Sequence, residues 1–366
     1  MGLPGDAGGR GDHGVRDDDR ARGPDQGPAE VADPAAVPGG QVDHPQGYEV
    51  GGQIGRAAMD AEIARIFRPT GISGPTGAAA AGARLLGLDI DATTSAIALG
   101  ANTTAGFNQW AHTGGSEMFF HAGFAARNAV TSVRLAELGA FASPTALDGE
   151  AGLFAALRKR AAASKVELFK ASPEILAVYH KPVPACNFAQ TACQAALRLT
   201  RENKVVPDRI GAITIRVPRA GMLYPGCDYR GQFAHILQAK MSIQYNVAAA
   251  LIRGGVSEQN FTLLDDPTLH RLLSVTTLQV DDEMTQAYPG KQGGDVEIRE
   301  VGGATHRVRL DDVVNATATD VRERFRLAAA QVVGAQRVRE IERFVDGLEH
   351  SDDVGLLGML LRAEAS

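Results

Sequence analysis

The chain has 366 residues, 44% of them hydrophobic, and a formal net charge of −6, enough to bury a sizeable core in one large or two medium domains. It holds no apolar run of roughly 18 residues or more and no apolar stretch after its first Met, so neither a membrane-spanning helix nor a secretory signal is expected. The mild acidity argues against a nucleic-acid or anionic-membrane surface, and three cysteines, Cys186, Cys193 and Cys227, make neither a disulfide framework nor a zinc pattern, so a reducing, cytoplasmic setting is expected.

Charge and composition are unevenly spread. Residues 1–46 carry nine acids and four arginines, with ten Gly, six Pro and no aromatic. Such a stretch buries too little apolar surface to offset the entropy of ordering it. A disordered or aberrant extension is expected there; its Gly/Ala/Pro/Asp/Arg bias is also that of GC-rich DNA read in a shifted frame. Foldable sequence begins at Gly47. A helix is expected from Tyr48 to about Arg65. Phe67–Gly77 (FRPTGISGPTG) reads as a turn-rich lead into an Ala-rich helix over 78–88. Helices over 91–104, 121–138 and 151–163 follow, the second of these stopping before Gly139.

After Pro173 the pattern changes. A helix is expected over 190–202, then a strand at Arg209–Val217 (RIGAITIRV), where Ile213, Ile215 and Val217 alternate with Thr214 and Arg216. A helix over 238–253 ends at Gly254-Gly255, and 274–280 reads as a strand. Segments 295–301 and 305–310, joined by Gly302-Gly303, read as a β-hairpin. From Ala318 the chain returns to helix, over 318–333, 336–349 and 353–362. The order is a helical block, an α+β block and a helical tail, with no internal repeat.

Residues able to carry chemistry fall in four places. Gly71, Gly74 and Gly77 have neither the spacing of a dinucleotide loop nor a Walker lysine. The start of the helix they lead into can still hold a carboxylate, and Arg68 stands beside it. His121 sits where loop passes into helix, with a near-neutral intrinsic pKa suited to acid–base work; a capping or buried hydrogen-bonded role fits it equally. His180–Asn187 (HKPVPACN) presents His180, Lys181, Cys186 and Asn187 on a backbone stiffened by two prolines, or serves as a structural linker. No base partner for Cys186 is legible. The fourth place is Tyr224–Arg230 (YPGCDYR) with Ala239–Tyr245 (AKMSIQY), where Lys240 among apolar helix positions is unusual unless paired or functional. No cluster of His, Cys, Asp and Glu has metal-ligand spacing.

These segments resemble the MmgE/PrpD family, which includes 2-methylcitrate dehydratase, cis-aconitate decarboxylase and iminodisuccinate epimerase. The carriers are GYEVGGQIGRA (47–57), RPTGISGPTGAAAAGARLLGLD (68–89), HAGFAARNAV (121–130), KPVPACNFAQTACQAAL (181–197) and AKMSIQYNVAAALIRGGV (239–256). Each is weakly specific alone; their order and spacing together carry the resemblance, from about Gly47 to about Leu361. It implies a mainly α fold with an α+β lid. A helical domain over 47–172 would be followed by the lid over 173–315, with C-terminal helices over 316–366 packing back on the helical domain. It also implies chemistry on small di- and tricarboxylic acids without metal or organic cofactor. A base removes a proton next to a carboxylate, or a carboxylate leaves, while cationic side chains hold the remaining carboxylates. A lyase is therefore expected, foremost a 2-methylcitrate dehydratase-type hydro-lyase of propionate catabolism. An epimerase, isomerase or decarboxylase of the same fold, or a member that has lost catalysis, stands as the alternative. A homodimer without nucleic-acid or membrane partners is implied as well.

Carried over residue by residue, the resemblance makes His121 and Lys181 catalytic, and Arg68, Lys240 and Tyr224 substrate-binding. It predicts that His121 and Lys181 face one cleft, with Arg68 and Lys240 on its walls. The family usually has His where this chain has Arg68, Lys where it has Met118, and Tyr near Met222, two residues before Tyr224. The family's N-terminal helical segment, with its His and clustered Asp, is not matched by Asp17-Asp18-Asp19. Exposed apolar helix faces are expected to follow.

Overall fold

The structure, a computed structural model, describes residues 46–362; the extension expected over 1–46 lies, Gln46 apart, outside the described residues. The helical half opens with α1 (Gln46–Ala58) and α2 (Ala61–Ile66). One helix was expected here, but Asp60 divides it. Its carboxylate accepts the N–H groups of Glu62 and Ile63 at 3.0 and 2.9 Å, which starts a new helix. Next come α3 (Pro69–Leu85), α4 (Ile90–Ala101), the one-turn α5 (Trp110–Thr113), α6 (Glu117–Glu137) and the short α7 (Leu153–Ala156).

The turn-rich lead expected at 67–77 is instead the first part of α3. Pro69 opens the helix, where an N–H would have no partner within it. Pro75 lacks the N–H that would bond the Gly71 carbonyl, and the Ala105 N–H takes that carbonyl at 3.1 Å. Glycine is needed for close approach rather than for turning. A Cβ at Gly71 would stand 1.6 Å from the Ala105 carbonyl oxygen, and one at Gly77 2.6 Å from the Gly47 carbonyl oxygen. Small side chains let α1, α3, α4 and α6 pack closely, with Ala79, Ala83, Ala96 and Ala129 buried between them.

The α+β half comprises α8 (Gln190–Asn203), β1 (Ile210–Val217), α9 (Arg219–Leu223), α10 (Ile236–Met241), α11 (Ile243–Arg253), α12 (Pro267–Ser274), β2 (Thr276–Val280), α13 (Asp282–Ala287), β3 (Gly294–Glu300) and β4 (Thr305–Leu310). The sheet runs β2-β1-β3-β4; β1 and β2 are parallel and the other pairs antiparallel. Ile215 faces Leu278 on one side and Val296 on the other. The helix expected over 238–253 breaks at Ser242, whose hydroxyl accepts the Tyr245 N–H at 3.0 Å and caps α11. The strand expected at 274–280 starts later, because Asp266 caps a helix, α12, that runs to Ser274. Leu199, Ile213, Ile215, Tyr245 and Leu272 fill the core, and Trp110 of α5 belongs to it, with Met118 of α6 packed against it. The two halves therefore share apolar contact beside the cleft described below.

The tail is α14 (Ala318–Asp346), kinked at Gly334 where φ is 78°, and α15 (Gly355–Leu360). The kink falls between the two helices expected there. The Ala316 N–H bonds the His180 carbonyl at 3.0 Å, and Arg324 donates to the Lys181 carbonyl, so the tail is tied to the Lys181 segment. Phe119, Phe120, Phe124, Leu138 and Phe141 are exposed. Among the described residues no helix is long and apolar enough to cross a membrane.

Candidate active site

A cleft of about 1140 Å³ opens where the two halves meet. Its walls are the start of α3, Met118 and Phe119 of α6, the 184–188 segment, α9, and Tyr288-Pro289. Arg68, Lys181, Tyr224 and Lys240 all line it. The positive end of a 17-residue helix, α3, starts at its edge.

Arg68 is the residue before α3, fixed through its N–H to the Gly106 carbonyl at 2.9 Å. Its Nη1 donates to the Tyr224 hydroxyl at 3.0 Å, and its guanidinium carbon lies 5.6 Å from the centre of the Trp110 ring. Its buried Nε has no hydrogen-bond partner among the described residues. A buried donor left unmatched costs about 1–3 kcal/mol, which an anionic ligand relieves. Lys181 is exposed along its length, yet its ammonium is crowded and donates to the Ala185 carbonyl at 3.4 Å. Burial holds its pKa below the ordinary lysine value; Cys186 opposes the shift and Arg68 adds to it. Neither cation has a carboxylate partner among the described residues.

Tyr224 is buried, its ring centre 5.6 Å from that of Phe188 with the two rings tilted, and its hydroxyl also receives the Asn108 amide at 3.4 Å. Burial raises its pKa against the pull of Arg68, so it remains a phenol able to donate. Lys240 differs. Its ammonium sits 2.7 and 2.9 Å from the two oxygens of Glu258 and 4.3 Å from the centre of the Phe261 ring. The odd lysine of the sequence is thus already paired, near the end of α10 rather than at the start of a helix.

His121 lies apart from these four. The helix begins at Glu117, so His121 is in its second turn and not at a loop junction. Glu117, His121, Phe124, Ala125 and Asn128 follow one stripe of α6, and that stripe lines a separate cavity of about 350 Å³. Met118, at the edge of that stripe, and Phe119, on the far side of the helix, face the large cleft instead. The backbone at Gly106 stands between His121 and Arg68: a Cβ there would lie 3.5 Å from Nε2 of His121 and 3.6 Å from Cβ of Arg68. Burial and the Arg68 charge lower the His121 pKa, opposed by Glu117, and its Nδ1 has no partner among the described residues. It is a neutral imidazole at neutral pH.

The cleft also holds Arg219 and Tyr288, which the sequence did not single out, and Asn187, which it did. Arg219, exposed at the start of α9, makes no ion pair among the described residues. Its only local signal is an arginine directly after a strand-ending Pro218. Tyr288 lies 5.8 Å from the Phe188 ring, and burial raises its pKa. Asn187 is occupied: its amide donates to Gln292 at 2.7 Å, and its carbonyl oxygen accepts from Tyr179. Among the described residues no group of three or more His, Cys, Asp or Glu is placed to hold a metal ion.

The family models for the MmgE/PrpD N-terminal domain and the MmgE/PrpD C-terminal domain match residues 45–165 and 183–350. The chain belongs to the MmgE/PrpD family. It is similar to the cis-aconitate decarboxylase of Homo sapiens, with 24% identity over 334 residues that cover 86% of this chain and 67% of that protein. It is also similar to a cis-aconitate decarboxylase-like protein of Aspergillus oryzae, with 26% identity over 344 residues covering 87% of this chain and 70% of that protein.

Proposed function

We propose that the chain is a lyase acting on a small di- or tricarboxylic acid bound in the large cleft, with loss of a carboxylate from a cis-aconitate-like acid as its first candidate reaction. The observation that carries this reading is the meeting of Arg68 and Lys181, from the two halves of the chain, in one cleft without carboxylate partners among the described residues. The decarboxylase names of both relatives favour decarboxylation over the alternatives. Arg68, the start of α3 and the Tyr224 hydroxyl hold the carboxylates that stay. As one carboxylate leaves as carbon dioxide, the electron pair of the broken C–C bond remains on the carbon, and the Lys181 ammonium returns a proton to it. Neutral His121 acts on Arg68 through position, adding no second positive charge beside it, and paired Lys240 fixes the wall.

A second reading rests on the lowered pKa of Lys181. A fraction of neutral amine makes it a base, which suits removal of a proton from a 2-methylcitrate-like acid followed by loss of the hydroxyl as water, the proton taken up by Lys181 passing to the leaving oxygen. Assays on both acids separate the two. Carbon dioxide and a five-carbon dicarboxylate from cis-aconitate support decarboxylation, and a new double bond from 2-methylcitrate supports dehydration. Lys181→Ala is expected to lower turnover at least ~100-fold, the usual scale for a proton-transfer group. Absence of turnover on either acid counts against the lyase reading, and undiminished turnover in Lys181→Ala counts against the site. A homodimer is proposed on the family resemblance, with sedimentation of the full chain as its check.

A further inference from the structure

We propose that Cys186 and Cys227 are a redox-responsive thiol pair in the wall of the large cleft, joined reversibly as a disulfide by a peroxide. All three cysteines are free and buried, but only two of them meet: the Cys186 and Cys227 sulfurs are 3.4 Å apart, although 41 positions separate them in sequence. That contact is held by backbone on both sides. The Cys186 N–H bonds the Lys240 carbonyl at 2.8 Å, and the Ile243 N–H bonds the Cys227 carbonyl at 3.0 Å, so both cysteines are anchored at the α10–α11 junction. Closing to a bond of about 2.05 Å needs roughly 1.4 Å of approach, within reach of small rotations.

The two thiols are unequal in the way such chemistry requires. Cys186 borders the cleft, immediately before the helical turn Asn187–Ala189 that leads into α8. The Cys227 thiol, the Phe188 N–H, Lys181 and Arg68 hold its pKa down against burial. Cys227 is fully buried, and burial with the neighbouring Cys186 raises its pKa. Cys186 is thus the attacking thiolate and Cys227 the resolving thiol. The Cys186 thiolate attacks one oxygen of a peroxide, breaking the O–O bond, and becomes a sulfenic acid as water is released. The Cys227 thiol displaces the sulfenic oxygen as a second water, forming the S–S bond. The peroxide takes the two electrons the thiols lose.

The bond joins two segments of the proposed site. Lys181 lies on the Cys186 segment, and the Cys227 N–H bonds the Tyr224 carbonyl at 3.1 Å. Oxidation also removes the thiolate facing Lys181. The effect on carboxylate binding rests on the function proposed above; the disulfide itself does not.

The test treats the reduced full chain with hydrogen peroxide, blocks free thiols and maps peptides without reductant. The expected result is a linked Cys186–Cys227 peptide, loss of both thiols with Cys193 still free, and recovery of all three with dithiothreitol. In Cys227→Ser the Cys186 sulfenic acid should persist and be trapped by dimedone. Three free thiols after treatment, a bridge through Cys193, or over-oxidation of Cys186 without a bridge would overturn the proposal. Mapping of the unaltered chain decides it even where the variant does not fold. Citrate should raise the melting temperature of the reduced chain and lose most of that effect in the oxidised one; equal shifts overturn the coupling to the site. No citrate effect in the reduced chain instead defeats the carboxylate reading, with the thiol mapping still deciding the disulfide.

Discussion

The helix contacts around α3 and the core of the α+β half are built in different ways. Between α3, α4 and α6 the contacts are made mainly by Ala and Gly, with Ala79, Ala83 and Ala96 fully enclosed; Val50, Ile54, Ile72 and Phe154 form a smaller apolar cluster beside them, and large side chains such as Phe120 and Leu138 are left outside. In the α+β half the interior is filled by Ile213, Ile215, Tyr245, Leu269 and Leu272. The α3–α4–α6 contact relies on closeness of backbones, the core of the α+β half more on volume. One fails when atoms are added and the other when they are removed. The cleft lies where they meet, with Arg68 held by the closely packed helix and Lys181 by the volume-filled half.

The largest stability effect is expected from removing volume. Leu272→Ala should destabilise by about 2–5 kcal/mol in urea unfolding, the range for a buried Leu truncation. Adding one methyl to the other half should act in the same direction. Gly77→Ala gains up to ~1 kcal/mol of helix propensity but sets its Cβ against the Gly47 backbone, and net destabilisation of about 1–3 kcal/mol is expected. A Gly77→Ala chain as stable as the parent would break the contrast between the halves. Gly123→Ala sharpens it: this α6 position is exposed with nothing within 4 Å of a new Cβ, so the same change should stabilise by about 0.5–1 kcal/mol.

The smallest effect is a pH dependence. The His121 pKa is lowered from 6.5 in the folded chain. Below 6.5 and down through the lowered value, the unfolded chain binds the proton more readily, so stability falls as pH falls through that window. His121→Asn should flatten this acid limb in urea midpoints measured across pH. An unchanged limb would mean that His121 is not held neutral by its surroundings.

Much of this arrangement was legible in the sequence because local signals agree with the fold. The alternation at Ile213–Val217 and the Gly302-Gly303 turn specify β1 and the β3–β4 hairpin, and the Gly334 kink falls between the two expected tail helices. The start of α3 was misread because Gly and Pro normally punctuate a chain, whereas here Gly71 and Gly77 serve tertiary approach and the carbonyl freed by Pro75 is taken by Ala105. Arg68, Lys181, Tyr224 and Lys240 were found from the family motifs and come to one cleft. His121 does not: it lies on the Glu117–Phe124–Asn128 stripe of α6, which lines the smaller cavity, and which stripe of a helix meets which cavity is set by tertiary packing. The Glu258 partner of Lys240, the open Arg219 and the Cys186–Cys227 contact arise from the packing of distant segments, which no local pattern encodes.

The cleft between the halves is proposed to bind a polycarboxylate through Lys181 and Arg68. Two cations in a partly buried site repel one another and lose water when empty; a polyanion offsets this and stabilises the fold by about 2.7 kcal/mol at roughly a hundred times its dissociation constant. The most direct measurement is the melting temperature with and without citrate, at low and high salt, for the parent chain, Lys181→Ala and the exposed-site control Lys291→Ala. A clear rise is expected in the parent and in Lys291→Ala, reduced by salt, and most of it should be lost in Lys181→Ala. Equal rises in all three would contradict the proposed site.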